Sequence, residues 1–221
     1  MTIQRFIFCA LVSSIVIGFV DSCTDQRMSQ ADPSPTQTSQ SAVISAGASI
    51  TGVFNEAVGK PIDRSTALRW IDNFIKANPK ATREYVIDAS ALKEIMANAL
   101  CTGISLNYAT DSLGALHILP IGLDRDGKVL PMQTIATQAG KIDWQTSRQW
   151  IGNYTGYIRS HFFGTMTFKR LLVDQRSSFV RVSLALNDIG SPQLLLSNAS
   201  IASPSSFEDM STPCPPVCSS N

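Results

Sequence analysis

The sequence has no excess charge of either sign. Its 221 residues include 18 lysines and arginines against 17 aspartates and glutamates, a formal net charge of +1. Without a positive field that attracts a polyanion, a nucleic acid is a poor partner. A glycine-rich phosphate-binding loop is also absent from the sequence. We therefore predict no nucleic-acid partner and find no sign of a phosphate-binding loop.

Histidine is scarce, with only His117 and His161 in the whole chain. A Ser-His-Asp triad needs a histidine base beside its serine, and Ser160-His161 with scattered aspartates does not form that pattern. A structural zinc site needs four ligands, usually in two close pairs. The spacing of the histidines and cysteines brings no such set together. We therefore predict no catalytic residue, no metal and no cofactor.

A run long enough to span a membrane is missing as well. After Arg5, residues 6–20 are almost entirely apolar, but a transmembrane helix needs about 20 such residues. The length and the preceding charge match the core of a secretory signal peptide. We predict that residues 1–22 are a signal peptide.

The end of this segment reads Val20-Asp21-Ser22-Cys23 and resembles the lipobox of bacterial lipoproteins. In that family the cysteine is acylated, as by palmitate, and becomes the mature N-terminus. The resemblance implies an anchor at Cys23 and, with Thr24 following, the outer membrane of a gram-negative bacterium. Asp21 stands where the family has a small uncharged residue. Conventional cleavage near Ser22 and a retained N-terminal anchor therefore stay open as alternatives.

The segment after Cys23 is polar and rich in serine, glutamine, threonine and proline. Such a composition cannot bury enough apolar surface to fold. A flexible spacer is what a tethered domain needs. We predict that residues 23–45 form the lipidated cysteine and a disordered tether, and that residues 46–201 form a single domain.

The domain contains an internal repeat. Residues 62–74 read IDRSTALRWIDNF, and residues 142–154 read IDWQTSRQWIGNY. Six residues recur at a constant offset, and a phenylalanine is replaced by a tyrosine. We infer two tandem repeats, at about residues 62–128 and 142–200.

Each repeat begins with two predicted helices. Asp63 and Asp143 are predicted N-caps, because a carboxylate at this position accepts N–H bonds from the first turn. Trp70 and Trp150 fall on the apolar stripe of their helices, which favours a core position over a sugar-stacking surface. The second, shorter helix is indicated by Leu92, Ile95, Met96 and Ala99 in the first repeat and by Phe168, Leu171 and Leu172 in the second.

Each repeat ends in a predicted hairpin. Ile104, Leu106 and Tyr108 alternate with small or polar residues, the pattern of a half-buried strand, and residues 180–187 repeat that pattern. A lone hairpin is marginal in water. The two helix-helix-hairpin repeats are therefore predicted to form an α+β fold in which both hairpins share one antiparallel sheet, with the helices packed on one face.

Three stretches resemble an uncharacterised family of small exported bacterial proteins and lipoproteins. They are GISLNY from Gly103, IGLDRDG from Ile121 and CPPVC from Cys214, which correspond to a strand, a Gly-Val-Asp-x-x-Gly hairpin and a Cys-Pro-Pro-x-Cys tail. His161-Phe162-Phe163-Gly164 also resembles a family segment, whereas Ser105 stands where the family has arginine. The resemblance implies no activity.

Residues 202–221 are predicted to be a flexible tail that contains Cys214 and Cys218. Outside the cytoplasm two near cysteines tend to oxidise, which indicates a possible disulfide between them. An inert tail and a catalytic dithiol are the alternatives, although three intervening residues are one more than the thioredoxin-type motif has. Cys101 is predicted to be an unpaired, buried thiol beside the first predicted strand.

The sequence Asp124-Arg125-Asp126-Gly127 begins like a calcium loop. A bidentate glutamate is expected at the twelfth position of such a loop, but Ile135 stands there. An Asp-Gly hairpin turn explains the motif better.

The sequence thus indicates an envelope lipoprotein that is a non-catalytic binding or structural module, held at the membrane by its lipid. Its protein or small-molecule partner is not defined by any motif. The alternative is an exported enzyme, thiol-dependent through Cys214 and Cys218. A tether with no catalytic constellation favours the first hypothesis.

Overall fold

The structure is a computed structural model that describes residues 53–209, 211–215 and 218. These residues form four α-helices, one π-helical turn and eleven strands, an α+β arrangement with antiparallel sheets. The predicted signal peptide, Cys23 and the predicted tether of residues 23–45 lie outside the described residues. In the described part of the chain, no helix has both the length and the apolar character needed to cross a membrane.

The strands form two sheets and a separate hairpin. In chain order they are β1 (Lys60–Asp63), β2 (Glu84–Asp88), β3 (Gly103–Thr110), β4 (Leu116–Leu123), β5 (Thr134–Thr137), β6 (Gly140–Asp143), β7 (Ser160–Gly164), β8 (Phe179–Leu186), β9 (Pro192–Asn198), β10 (Ser206–Asp209) and β11 (Thr212–Cys214). Sheet A has the order β1-β10-β9-β8-β2, sheet B has the order β11-β7-β3-β4, and β5 pairs with β6.

The helices are α1 (Arg64–Ala77), α2 (Ala89–Met96), α3 (Trp144–Asn153) and α4 (Thr165–Lys169), and the π-helical turn Arg170–Asp174 continues α4. Both predicted N-caps are confirmed. An Asp63 carboxylate oxygen accepts a hydrogen bond from Thr66 N at 2.8 Å, and an Asp143 oxygen accepts one from Thr146 N at 2.9 Å. The second helix of the first half ends at Met96, before the predicted Ala99.

The main core lies between the two sheets. Alternate side chains of β2, β3, β4, β8 and β9 point into it, and α2, α4 and the π-helical turn add further apolar side chains. Its fully buried members include Leu92, Ile104, Leu106, Phe163, Phe168, Val180, Val182, Leu194 and Leu196. This period-two selection follows from the alternating direction of side chains along a strand.

Each sheet also has an outer face, on which one helix packs. On sheet A, Trp70 and Ile71 of α1 and Ile62 of β1 pack against a small outer core of Ala67, Ala185, Leu195 and Phe207. On sheet B, α3 packs Trp144, Trp150 and Ile151 against a larger outer core of Phe54, Ala109, Leu119, Ile121, Leu123, Ile135 and Phe162. The layers therefore run α1, sheet A, sheet B, α3.

The prediction of one shared sheet with helices on one face is wrong in two respects. The hairpin β3–β4 belongs to sheet B and the hairpin β8–β9 to sheet A, and helices cover both outer faces. Because β3 is covered on both sides, it is buried from Gly103 to Ala109, rather than half-buried as its alternation predicts. Its outward side chains Ser105 and Asn107 are small or uncharged and fit under the covering layer.

The prediction of a flexible tail over residues 202–221 is also wrong for residues 206–209 and 212–214. Strand β10 lies inside sheet A between β1 and β9, and β11 pairs with β7 at the edge of sheet B. Phe207 is 3% exposed in the outer core, and Glu208 pairs with Arg170 Nη2 at 2.5 Å. The buried ring of Phe207 and the ion pair between Glu208 and Arg170 hold this segment in the sheet, although its composition is that of a flexible tail.

Candidate ligand-binding groove

One side of α1 borders an open groove on the outer face of sheet A. Arg64, Leu68, Ile71 and Ile75 lie along this side, at the spacing of successive helical turns. The other walls come from the start of β2, the outer side of β8 and the β9–β10 loop. This α1 groove has a volume of about 640 Å³, within the roughly 300–1,000 Å³ of small-molecule sites.

Three arginines line the α1 groove against a single carboxylate. Arg181 Nε lies 3.3 Å from Glu84 Oε2 on the neighbouring strand. Arg64 Nη2 donates a hydrogen bond to Ser203 Oγ at 2.9 Å. Among the described residues, no carboxylate lies within ion-pair distance of Arg64 or Arg83. The groove therefore has more positive charge than its own residues neutralise.

The rest of the wall is largely apolar. Leu68 is 41% exposed on α1, and Ile71 and Ile75 beside it are half-buried. Pro204 and Phe207 close the far end from the β9–β10 loop and β10. A ligand that covers these side chains would remove apolar surface from water, which stabilises a complex.

The α1 groove is lined by hydrogen-bond donors and hydroxyl groups. Its described lining provides hydroxyl groups from Thr82, Ser183 and Ser203, but no histidine, no cysteine and no second carboxylate beside Glu84. General acid–base catalysis needs a positioned group that exchanges a proton near neutral pH. Arginine, which stays protonated, instead offers a planar fork of donors for an anion.

Two smaller cavities lie around sheet B. One, of about 320 Å³, lies between α2 and the β5–β6 hairpin, where Lys141 Nζ and Glu94 Oε2 are 3.0 Å apart. The other, of about 530 Å³, lies beside Trp144 and Arg148 at the start of α3. The first is balanced in charge and the second has one arginine, so the α1 groove has the largest excess of positive charge of the three.

His117 lies on β4 and faces α3. Its Nε2 is 2.9 Å from Asp111 Oδ2, and its ring stacks on Trp150 with centroids 4.7 Å apart. The hydrogen bond from His117 holds the pKa of Asp111 below its ordinary value. The other carboxylate oxygen of Asp111 accepts the backbone N–H groups of Leu113 and Ala115. His117 therefore fixes the β3–β4 turn against α3.

His161 is buried between the sheets on β7. Its Nδ1 lies 2.9 Å from Ser211 Oγ, and its Nε2 has no hydrogen-bond partner within the described residues. Burial lowers the pKa of His161 to about 4. A catalytic serine–histidine pair also needs a carboxylate that orients the imidazole, and none of the described carboxylates bonds to this ring. His161 is an uncharged residue of the inner core.

The cysteines have different environments. Cys214 and Cys218 are joined by a disulfide with their Cα atoms 4.7 Å apart. Cys101 is a free, buried thiol just before β3, as the sequence predicts, and burial raises its pKa. A raised pKa leaves little thiolate, the form that acts as a nucleophile. The predicted lipidation site Cys23 lies outside the described residues.

The segment around Asp124 is a tight turn after β4, as predicted. One Asp124 carboxylate oxygen accepts the backbone N–H groups of Asp126 and Lys128, each at 2.9 Å. Gly127 has a φ of +76°, which glycine adopts readily. In the described part of the chain, no cluster of three or more histidine, cysteine, aspartate or glutamate residues is arranged to hold a metal ion.

Both repeat tryptophans pack on the outer face of a sheet, as their helical stripes predict. Trp70 packs against the outer core of sheet A, and Trp150 packs against that of sheet B. Neither ring is among the residues that line the α1 groove. The tryptophans therefore contribute to packing.

The α1 groove has no signal in the sequence. Arg64 follows the predicted cap Asp63, and Arg181 stands on the polar side of the predicted alternation, so both were identifiable as surface residues. Arg83 lies in a loop with no pattern of its own. Only the tertiary structure brings the three guanidinium groups together. The comparisons with known proteins add nothing to this geometry, because no family model, curated protein or solved structure matches the chain.

Proposed function

We propose that this chain is a binding protein of the bacterial cell envelope, tethered through an acylated Cys23, and that the α1 groove holds its ligand. The observation that carries the proposal is a groove of about 640 Å³ that combines three arginines, one glutamate and an apolar wall. Apolar surface gathered in one concavity with a few polar groups is typical of small-molecule sites.

The location at the outer membrane is supported by the sequence alone. The apolar residues 6–20, the lipobox-like residues 20–23 and Thr24 indicate export and acylation. The polar residues that follow would give the folded domain reach away from the membrane surface. A soluble ligand could then enter the α1 groove without competition from the bilayer.

The cysteines favour a binding protein over an enzyme that depends on a thiol. Cys214 and Cys218 form a disulfide in the structure, and the thiol of Cys101 is buried with a raised pKa. A catalytic thiol instead sits in an electropositive, partly exposed environment. No cysteine is among the residues that line the α1 groove beside its arginines.

We also propose that the domain arose by tandem duplication of a helix-helix-hairpin unit. Asp63 and Asp143 cap α1 and α3 through the same bond, to the backbone N–H three residues on. Sheet A combines β1 and β2 with β8, β9 and β10, whereas sheet B combines β3 and β4 with β7. Such an exchange is expected when the hairpin of each unit pairs with one strand beside a helix of the other unit, as β8 pairs with β2 and β3 pairs with β7. A crystal structure in which residues 62–121 and 142–198 do not superpose would contradict the duplication.

The anchor is tested by the intact mass of the mature protein purified from membranes. A mass that begins at Cys23 and includes acyl groups supports the tether. A soluble protein that begins at another residue contradicts it. The same measurement after alkylation, with and without reduction, reports whether Cys214 and Cys218 are paired in the cell.

The groove is tested by a thermal-shift screen of small molecules on the full chain with Cys23→Ser, purified without detergent. The matched variant is Ala202→Trp, which places a large ring in the groove from an exposed loop position. Ala139→Trp, in the exposed β5–β6 turn, is the control. Compounds that raise the Tm of the parent chain should also raise the Tm of the control Ala139→Trp, but not that of Ala202→Trp. If none distinguishes the two variants, the α1 groove is not the ligand site.

A further inference from the structure

The residues of the α1 groove define a ligand class, provided that the groove is the ligand site proposed above. We infer that it binds a single-chain amphipathic anion, a carboxylate or phosphate head on an apolar chain. Arg64 and Arg83 would hold the head, and Leu68, Ile75 and Phe207 would line the path of the chain.

The anionic head follows from the unbalanced charge. Arg181 is 20% exposed and already faces Glu84, whereas Arg64 and Arg83 are exposed and have no carboxylate partner among residues 53–209. A neutral ligand that covered these guanidinium groups would remove them from water without a counter-charge, which is costly. A carboxylate or phosphate accepts two parallel N–H bonds from one guanidinium and avoids that cost.

The apolar chain follows from the wall of α1. Leu68 is 41% exposed, although the residue on the next turn, Ile71, packs into the outer core. A small inorganic anion would satisfy the arginines and leave this wall in contact with water. Only a ligand with both an anionic end and an apolar body covers all of the lining.

The concave shape favours a free molecule over a bilayer. Ser183 on the floor of the groove is 4% exposed, so a flat membrane surface would meet the rim formed by α1 and the β9–β10 loop and not the floor. The net charge of the whole chain is +1, too small to attract an anionic membrane over a distance.

The test is isothermal titration of the full chain with Cys23→Ser, using dodecanoate below its micelle concentration. Acetate supplies the head alone, and dodecyltrimethylammonium supplies the same chain with a positive head. We expect dodecanoate to bind at least about tenfold more tightly than either, because each charged hydrogen bond and the buried chain contribute separately.

Two variants locate the head. Arg64→Gln with Arg83→Gln should weaken dodecanoate binding by about tenfold or more. Arg69→Gln is the matched control on the same helix, since Arg69 points away from the groove and pairs with Asp188 at 2.8 Å. Its dodecanoate affinity should equal that of the parent chain.

The remaining outcomes separate this inference from the proposed function. If dodecyltrimethylammonium binds as tightly as dodecanoate and Ala202→Trp abolishes both, the groove is a ligand site but not for anions, and the inference is overturned. If no probe binds in a way that Ala202→Trp abolishes, the inference fails, and the screen described above decides the proposed function. If the chain co-sediments with phosphatidylglycerol vesicles and does not bind dodecanoate, the groove is a membrane contact, and the inference is again overturned.

Discussion

The outer faces of the two sheets are covered in the same way but are closed to different extents. On sheet B the outer core contains seven buried side chains, including Phe54 and Phe162, whose rings meet edge to face with centroids 5.0 Å apart. On sheet A the outer core contains four, of which two are alanines. One face is a second core, and the other leaves room for the α1 groove.

The segment that precedes β1 accounts for part of this difference. It places Phe54, 2% exposed, against the outer face of sheet B and over Gly127. A Cβ atom at Gly127 would lie 2.5 Å from the Phe54 ring, so this glycine is needed for the close approach as well as for its turn. On the outer face of sheet A, the β9–β10 loop forms a wall of the α1 groove.

The residue after each helix cap accounts for another part. Trp144 follows Asp143 and packs against the outer core of sheet B, whereas Arg64 follows Asp63 and lines the groove. Both helices therefore start with the same cap and continue with side chains of opposite character. At this position a bulky apolar residue packs on the outer core of sheet B, and a charged residue lines the groove on sheet A.

The largest effect should come from removing the ring that closes sheet B. Phe54→Ala should lower the free energy of unfolding by about 3–5 kcal/mol, since it deletes a fully buried aromatic side chain and leaves a cavity. Leu68→Ala, on the open face, should change it by less than about 1 kcal/mol. Urea unfolding of the two variants measures both. Equal losses would contradict the distinction between a closed and an open face.

The main core between the two sheets contains His161. This residue makes the free energy of unfolding depend on pH, and a ligand in the α1 groove should not change that dependence. The pKa of His161 is about 4 in the folded protein, against 6.5 for an ordinary histidine. The unfolded chain therefore binds a proton first as the pH falls. The stability that comes from burying the neutral ring is complete above about pH 6.5 and is lost progressively as the pH falls to about 4, by on the order of 3 kcal/mol.

His161→Phe is the matched variant for this prediction, because it keeps an aromatic ring in the inner core and removes the titrating group. The difference in unfolding free energy between the two proteins should change with pH between 4 and 6.5 and level off above that window. A ligand in the α1 groove should raise both curves without changing this difference. A constant difference across the window would show that His161 does not titrate as its burial implies.

Features that depend on nearby residues could be predicted from the sequence. The caps Asp63 and Asp143 act within one helical turn, and the alternation of Ile104, Leu106 and Tyr108 is a property of one strand. Both caps and the strand are confirmed, although the strand is buried on both sides and not half-buried as its alternation predicts. The number of sheets is different, because the pairing of β8 with β2 and of β7 with β3 joins segments that are far apart in the chain.

The polar composition around β10 hides its place in sheet A for a similar reason. Phe207 is its only large apolar residue, and Glu208 looks like a surface residue until Arg170 is known to lie beside it. The α1 groove combines loop, strand and helix residues from distant parts of the chain. No local pattern of Arg64, Arg83 or Arg181 indicates that they meet.

An intermediate effect is expected from the ring pair between α3 and sheet B. Trp150 stacks on His117 at 4.7 Å, and aromatic pairs contribute about 0.5–1.5 kcal/mol beyond the area they bury. A double-mutant cycle with Trp150→Leu and His117→Ala should give a coupling of about 1 kcal/mol. The corresponding cycle with Trp70→Leu and His117→Ala should give none. A coupling near zero for the first cycle would mean that the contact between α3 and the outer face of sheet B is stabilised by buried area alone, without a specific contribution from the ring pair.

The smallest effect should come from the cavity between α2 and the β5–β6 hairpin, one of the two cavities described near sheet B. Lys141 and Glu94 face each other across it at 3.0 Å and are both more than half exposed. Such an exposed pair contributes less than about 1 kcal/mol and is screened by salt. Lys141→Gln should therefore change stability only slightly, and less at high salt, without altering dodecanoate binding. If it weakened that binding as strongly as the Arg64 and Arg83 substitutions do, the ligand would lie on the sheet B side, and the contrast between the two faces would be reversed.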